Sequence, residues 1–123
     1  MKRTILQIYV KNSWAAAVMY EEAFQTKIRA RIKNLDGTYL RCELDLGGQV
    51  MMLSEIEEDH CYTGNAMQFT LEYEKDEREK LEHAYDVMKK GAKILHPLTP
   101  TRYCKLLCDF IDRYGIRWCL FIH

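Results

Sequence analysis

The chain has 123 residues and carries 18 Lys+Arg against 18 Asp+Glu, a formal charge of zero. That balance argues against a dedicated nucleic-acid binder, which carries a basic footprint. With 48% hydrophobic residues the chain suits one globular domain and not a disordered one. No apolar run approaches the roughly 20 residues that cross a bilayer, so no membrane partner is expected. The N-terminal MKRTILQIYV has a basic start but no small-residue cleavage site, and reads as a first strand, not a signal peptide.

Five cysteines, Cys42, Cys61, Cys104, Cys108 and Cys119, form an odd set with no CxxC pair. This disfavours both a zinc site and a secreted disulfide framework, and fits a reducing cytoplasm. They are expected to behave as small buried hydrophobes.

In chain order, residues 4–10 (TILQIYV) alternate as a strand, with Leu6, Ile8 and Val10 on one face and Ile5, Gln7 and Tyr9 on the other. Ser13 is a suitable N-cap for a helix over residues 14–24, whose stripe includes Ala16, Tyr20 and Ala23. Residues 26–33 (TKIRARIK) alternate four cations with Ile28, Ala30 and Ile32, which predicts a half-buried strand with a solvated charged face. Asp36-Gly37 signals a hairpin into residues 38–46, where Leu40, Cys42, Leu44 and Leu46 share a face. Gly47-Gly48 turns the chain into a strand over residues 49–54, and residues 55–65 read as a polar linker containing His60.

The order then repeats. Residues 66–73 (AMQFTLEY) alternate as a strand. Residues 76–90 form a strongly signalled helix, with a capping box at Asp76 and Glu79, an apolar stripe of Leu81, Ala84, Tyr85 and Met88, and Gly91 beyond its end. Residues 93–98 predict a strand ended by Pro97 and Pro100, residues 103–111 another, and residues 112–115 turn into a last strand over 117–122. The helix ends at Phe24 and Gly91 and the hairpin turns at Gly48 and Gly115 are each 67 positions apart. The fold class is therefore α+β: two βαβββ modules, residues 1–54 and 66–123, in one domain spanning 1–123. They are expected to share a core and form a curved mixed sheet around a central cup.

The paired plan, the helix stretch AAAVMYEEAF, the hairpin CELDLGGQVMMLSE and the ending DRYGIRW resemble the vicinal oxygen chelate superfamily, which includes glyoxalase, bleomycin-resistance and extradiol dioxygenase proteins. The similarity is greatest to its PhnB-like branch, whose late strand begins Trp-Gly and runs to Asp-Pro-Phe-Gly-x-x-Trp. Tyr103-Cys104 stand at the Trp-Gly positions, and Asp112, Gly115 and Trp118 match, while Arg113 and Tyr114 replace Pro and Phe. Gln25 stands where a glycine usually follows the first helix. The resemblance implies a homodimer and, in the enzymes, a divalent metal held by His and Glu from four strands. Here those positions fall at or near Ile5, at Arg41, within residues 65–70 where no His, Asp or Glu occurs, and at Cys119. The four histidines, His60, His83, His96 and His123, are scattered and read as ordinary surface residues. No metal or other cofactor is expected.

By alternation, the cup faces include Ile5, Gln7 and Tyr9, then Tyr39, Arg41 and Glu43, then Arg117, Cys119 and Phe121. Aromatic walls with a few polar groups suit a small-molecule pocket. The candidate ligand-binding residues are Gln7, Tyr9, Arg41, Glu43, Tyr103, Arg117 and Cys119. Arg41 is the sharpest, because its planar fork suits a carboxylate or phosphate unless Glu43 pairs with it. Trp118 reads as core. No Gly-rich phosphate loop or triad is present. The expected function is a cytoplasmic, metal-free small-molecule binder of PhnB-like or bleomycin-resistance type. The alternatives are a glyoxalase-like lyase, isomerase or dioxygenase with a non-standard site using Tyr9, Glu43 or Cys119, and an assembly module with a filled cup.

Overall fold

The computed structural model describes residues 1–57 and 64–123. The expected places of His60, Cys61 and most of the linker lie outside the described residues. The chain divides into two compact units, Met1–Cys61 and Tyr62–His123, and each repeats the order strand, helix, three strands. The fold class is α+β.

In the first unit, β1 (Leu6–Val10) is followed by α1 (Ser13–Phe24), β2 (Arg29–Lys33), β3 (Tyr39–Leu46) and β4 (Gln49–Glu55). The sheet order is β1-β4-β3-β2, with β1 parallel to β4 and both hairpins antiparallel. A parallel neighbour requires a crossover, and α1 supplies it, packing against β1, β3 and β4. Ile8, Val10, Cys42, Leu44, Met51 and Leu53 are buried beneath Ala16, Tyr20 and Ala23 of the helix. The alternation read along β1 thus sorts its side chains as expected.

Asn12, not Ser13, caps α1: at φ 59° its side chain accepts from the Ala15 amide. Ser13 is instead the first helical residue, fully buried, and its hydroxyl accepts the Tyr39 amide at 2.8 Å. Glu55, expected in the linker, closes β4, and its carboxylate accepts the amides of Asn12 and Ser13 at 3.0 and 2.8 Å. A carboxylate there meets both the unsatisfied donors and the positive end of the helix dipole. At the other end Gln25 adopts φ 52°, the left-handed cap conformation that glycine takes without strain.

The strand over residues 26–33 departs from its expected pattern. Only residues 29–33 pair, all are exposed, and Ala30 sits at φ 52°. The register slips there, so Arg29 stands opposite Glu43 and Ile32 opposite Arg41. A second slip between Ile32 and Lys33 places Tyr39 opposite Lys33, as a bulge at Leu40 does. One extra residue inverts the faces: Tyr39, expected on the open side, is buried, and Leu40, expected in the core, is 50% exposed.

The second unit has β5 (Phe69–Glu72), a short 3₁₀ turn (Lys75–Glu77), α2 (Arg78–Met88), β6 (Lys93–Thr99), β7 (Leu106–Ile111) and β8 (Arg117–Ile122). Its sheet order, β5-β8-β7-β6, repeats the first, with β5 parallel to β8. The capping box lies two residues earlier than expected, at Glu74 and Glu77, because the 3₁₀ turn precedes the helix proper. β6 runs through Pro97 instead of ending there. It is an edge strand with register slips on both sides of His96, a setting that tolerates a residue lacking an N–H. β7 begins at Leu106, so Tyr103 and Cys104 lie in the preceding loop, where the Thr101 hydroxyl accepts both their amides.

Leu81, Ala84 and Met88 of α2 are buried with Leu106, Cys108, Phe110, Leu120 and Ile122. Trp118 is fully buried as expected, and its indole N–H donates to Asp112 Oδ2 at 2.9 Å. Asp112 Oδ1 accepts the amides of Tyr114 and Ile116 at 2.8 and 3.1 Å, and Gly115 completes the turn at φ 90°. The three residues that matched the late-strand pattern therefore form one structural device, a turn locked to the core. Replacing Asp112 by alanine removes the carboxylate that accepts a buried indole N–H and two turn amides. It should lower the unfolding free energy by about 2–4 kcal/mol in urea melts, and Asp112→Asn by less; a loss below about 0.5 kcal/mol would contradict this role.

Candidate functional site

A single helix covers one face of each sheet, and the other face carries most of the candidate residues. On the first sheet, Gln7 lies opposite Met52, Met52 opposite Glu43, and Glu43 opposite Arg29, making one row across all four strands. In the next row Tyr9 lies opposite Ser54. Cys42 pairs with Leu53, so the following position sets Arg41 beside Ser54, with Ile32 beyond. Gln7 and Arg41 are exposed, Tyr9 is 59% exposed, and Glu43 is half-buried.

The charges on this face are distributed unevenly. Glu43 forms its ion pair with Arg29, at 3.7 Å, and not with Arg41. No ion pair or hydrogen bond engages the Arg41 guanidinium among the described residues. The bulge at Ala30 in β2 explains why: it brings Arg29 opposite Glu43 and leaves the apolar Ile32 opposite Arg41. Across the sheet Arg41 is thus flanked by the Ser54 hydroxyl and the aliphatic Ile32, with Glu43 two residues along its own strand.

The open face of the second sheet is internally neutralised. Thr70, Cys119, Asp109 and His96 form a row across β5, β8, β7 and β6. Arg117 grips Asp109 in bidentate fashion, Nε to Oδ1 at 3.0 Å and Nη2 to Oδ2 at 2.7 Å, and its remaining nitrogen donates to the Asn65 carbonyl. Gln68 also donates to Asp109, at 2.9 Å. The hydrogen bonds from Asp109 hold the Arg117 pKa above its ordinary value. Arg117 is therefore on the face where alternation puts it, but its charge is spent within the sheet. Phe121, in the same alternation, lies opposite Glu72 and Leu107.

Cys119 is buried, and desolvation, reinforced by the nearby Asp109 charge, raises its thiol pKa. A thiol held in its neutral form is a poor nucleophile. Tyr103 stands apart from both rows, 77% exposed in the loop before β7, with the Arg102 guanidinium over its ring. Among the histidines, His96 is not an ordinary surface residue, since its Nδ1 is buried with no hydrogen-bond partner among the described residues. Sequence reading missed Ser54 and Asp109, the two residues that organise the open faces. The alternation of residues 49–54 signalled Ser54 as a face residue, but nothing in it signalled the link to Gln7.

The metal set implied by the resemblance does not fit these residues. Arg41 presents a cation where a ligand is needed, Ile5 has no donor, and the Gln68 amide is committed to Asp109. Cys119 resists the deprotonation that ligation requires. Among the described residues no three His, Cys, Asp or Glu side chains are placed to hold an ion together.

The buried thiols set a pH dependence. Burial pushes Cys42 up to about 11 and Cys108 up to about 12 from 9.0. Because the folded pKa values are raised, this contribution is fully present below the unfolded value near 9 and is lost as pH rises through the folded values. Urea stability should therefore fall between pH 9 and about 11–12, and the fall should be shallower in Cys108→Ala. Parallel profiles for the two proteins would contradict the assignment.

No family model matches the chain, and no curated protein matches it. Solved structures do. A PhnB protein from Bacillus cereus superposes with a TM-score of 0.83 at 20% identity, covering 99% of this chain and 100% of that one. The genomically encoded fosfomycin resistance protein FosX from Listeria monocytogenes gives 0.72 at 10% identity, covering 100% and 93%. A glyoxalase/bleomycin resistance protein/dioxygenase family enzyme from Burkholderia phytofirmans gives 0.68 at 12% identity, covering 96% and 95%. No helix among the described residues is long and apolar enough to cross a membrane. The chain has the two-module α+β fold of the PhnB, FosX and glyoxalase/bleomycin-resistance/dioxygenase proteins, the fold implied by its resemblance to the vicinal oxygen chelate superfamily.

Proposed function

We propose that residues 1–123 act as one domain, a metal-free, cytoplasmic and homodimeric protein that binds a small organic anion on its open sheet surface. The observation that carries this reading is Arg41. It is an exposed guanidinium with no carboxylate partner among the described residues, on a sheet face that also offers Tyr9, Gln7 and Ser54. A planar fork recognises an oxyanion, and an aromatic ring on the same sheet face suits the organic body attached to it. Glu43 contributes by holding Arg29, so that the two cations of this face have different tasks. Tyr103, Arg117 and Cys119 belong to the second unit, and no catalytic role is assigned to them. The likeness in fold to a fosfomycin resistance protein and to a bleomycin-resistance family enzyme supports binding of a small molecule.

The test is a thermal-shift screen of carboxylates, phosphates, antibiotics and divalent metals, with metal analysis of the purified protein. A bound anion at 100 times its Kd should add about 2.7 kcal/mol of stability, a readily measured rise in Tm. Arg41→Ala should abolish that rise while leaving the unliganded Tm within a degree or two. Stoichiometric Zn, Ni, Fe or Mn in the purified protein would reject the metal-free reading, and unchanged affinity in Arg41→Ala would reject the anion site.

A further inference from the structure

The side-chain amide of Gln7 fixes the direction of a hydroxyl next to Arg41. Its Nε2 donates to the Ile8 carbonyl at 3.0 Å and to Ser54 Oγ at 3.1 Å. A carbonyl only accepts, so the group facing Ile8 has to be the NH₂ and not the amide oxygen. Its second hydrogen then points at Ser54, and the Ser54 hydroxyl is an acceptor in that bond. The hydroxyl's own hydrogen has no acceptor among the described residues. Ser54 is only 8% exposed, so a donor left without a partner there has a cost that an incoming acceptor would remove.

We infer that Ser54, oriented by Gln7, is a second anchor beside Arg41, and that the two together take the carboxylate of an aromatic monoanion. This rests on the reading of Arg41 given above. Residues directly opposite on antiparallel strands have Cβ atoms about 4.5–5.5 Å apart, a gap that one carboxylate bridges with an oxygen on each donor. Tyr9, opposite Ser54 and 59% exposed, offers its ring to the organic part of the ligand. The charge inventory favours a monoanion over a dianion. Among the described residues Arg41 is the cation of this face without an ion-pair partner, Arg29 is held by Glu43, and Asp45 adds a further carboxylate along the same strand face. A phosphate dianion would meet two positive and two negative charges, with Arg29 already engaged by Glu43.

The probes are phenylacetate, its neutral isostere phenylacetamide, and phenylphosphonate at pH 8, titrated into the wild type and variants by calorimetry. Phenylacetate should bind the wild type, and phenylacetamide and phenylphosphonate should bind at least tenfold more weakly. Ser54→Ala should weaken phenylacetate about tenfold, the loss typical of a hydrogen bond to a charged group. Ser54→Thr, which keeps the hydroxyl, should restore it, and Gln7→Leu, which releases the hydroxyl rotor, should weaken it without lowering the unliganded Tm as Asp112→Ala does. Equal phenylacetate affinity in wild type and Ser54→Ala would overturn the inference while leaving the anion site at Arg41 standing. Failure of phenylacetate to bind the wild type would also overturn it, and the broad screen separately decides whether the protein binds any small anion.

Discussion

One helix cannot cover both faces of a four-stranded sheet, and this geometric limit governs each unit of the protein. The first strand must run parallel to the last, which requires a crossover, and the crossover helix packs on one side only. That side collects Ile8, Val10, Leu44, Met51 and Leu53 in the first unit, and Phe110, Trp118, Leu120 and Ile122 in the second. The opposite side is left to polar and mixed side chains, and its chemistry becomes the functional question.

The two open faces answer that question differently. In the second unit, Asp109 gathers Arg117 and Gln68 into a saturated cluster, so charge and hydrogen-bonding capacity are consumed within the sheet. In the first unit, an irregularity in β2 directs Arg29 to Glu43 and leaves Arg41 opposite Ile32, outside any ion pair among the described residues. A chain whose formal charge is zero thereby presents a local cation. The bulges cost backbone regularity, including a non-glycine residue at positive φ, and such irregular positions concentrate next to functional sites.

Much of the fold was legible because local periodicity and long-range packing agree along most of the chain. β1 and β3 beyond Arg41 follow the alternation, β4 and β8 follow it except at the buried Ser54 and Cys119, and the turn residues Gly37, Gly48 and Gly115 adopt the positive φ their hairpins require. The failures occur where a partner distant in sequence decides the outcome. Ser13 lost the capping role to Asn12 because Tyr39 claims its hydroxyl, and Glu55 left the linker because a helix 42 residues away needs its carboxylate. Tyr39 changed sides because a bulge at Leu40 leaves no composition signal. Arg41 was identifiable from its position in the alternation. Ser54 was not, since its importance arises from the amide of Gln7, 47 positions earlier in the chain.

In the reading proposed above, the open face of the first sheet is a preorganised oxyanion site, the guanidinium of Arg41 meeting no carboxylate among the described residues and the hydroxyl of Ser54 directed by Gln7. The most direct measurement is a nitrogen-detected NMR titration of the labelled protein with phenylacetate. The account predicts that the largest shifts fall on the Arg41 Nε, the Gln7 side-chain amide and the backbone amides of Tyr9 and Ser54. Shifts confined to Gln68, Thr70 and Cys119 on the second sheet, with Arg41 unmoved, would contradict it.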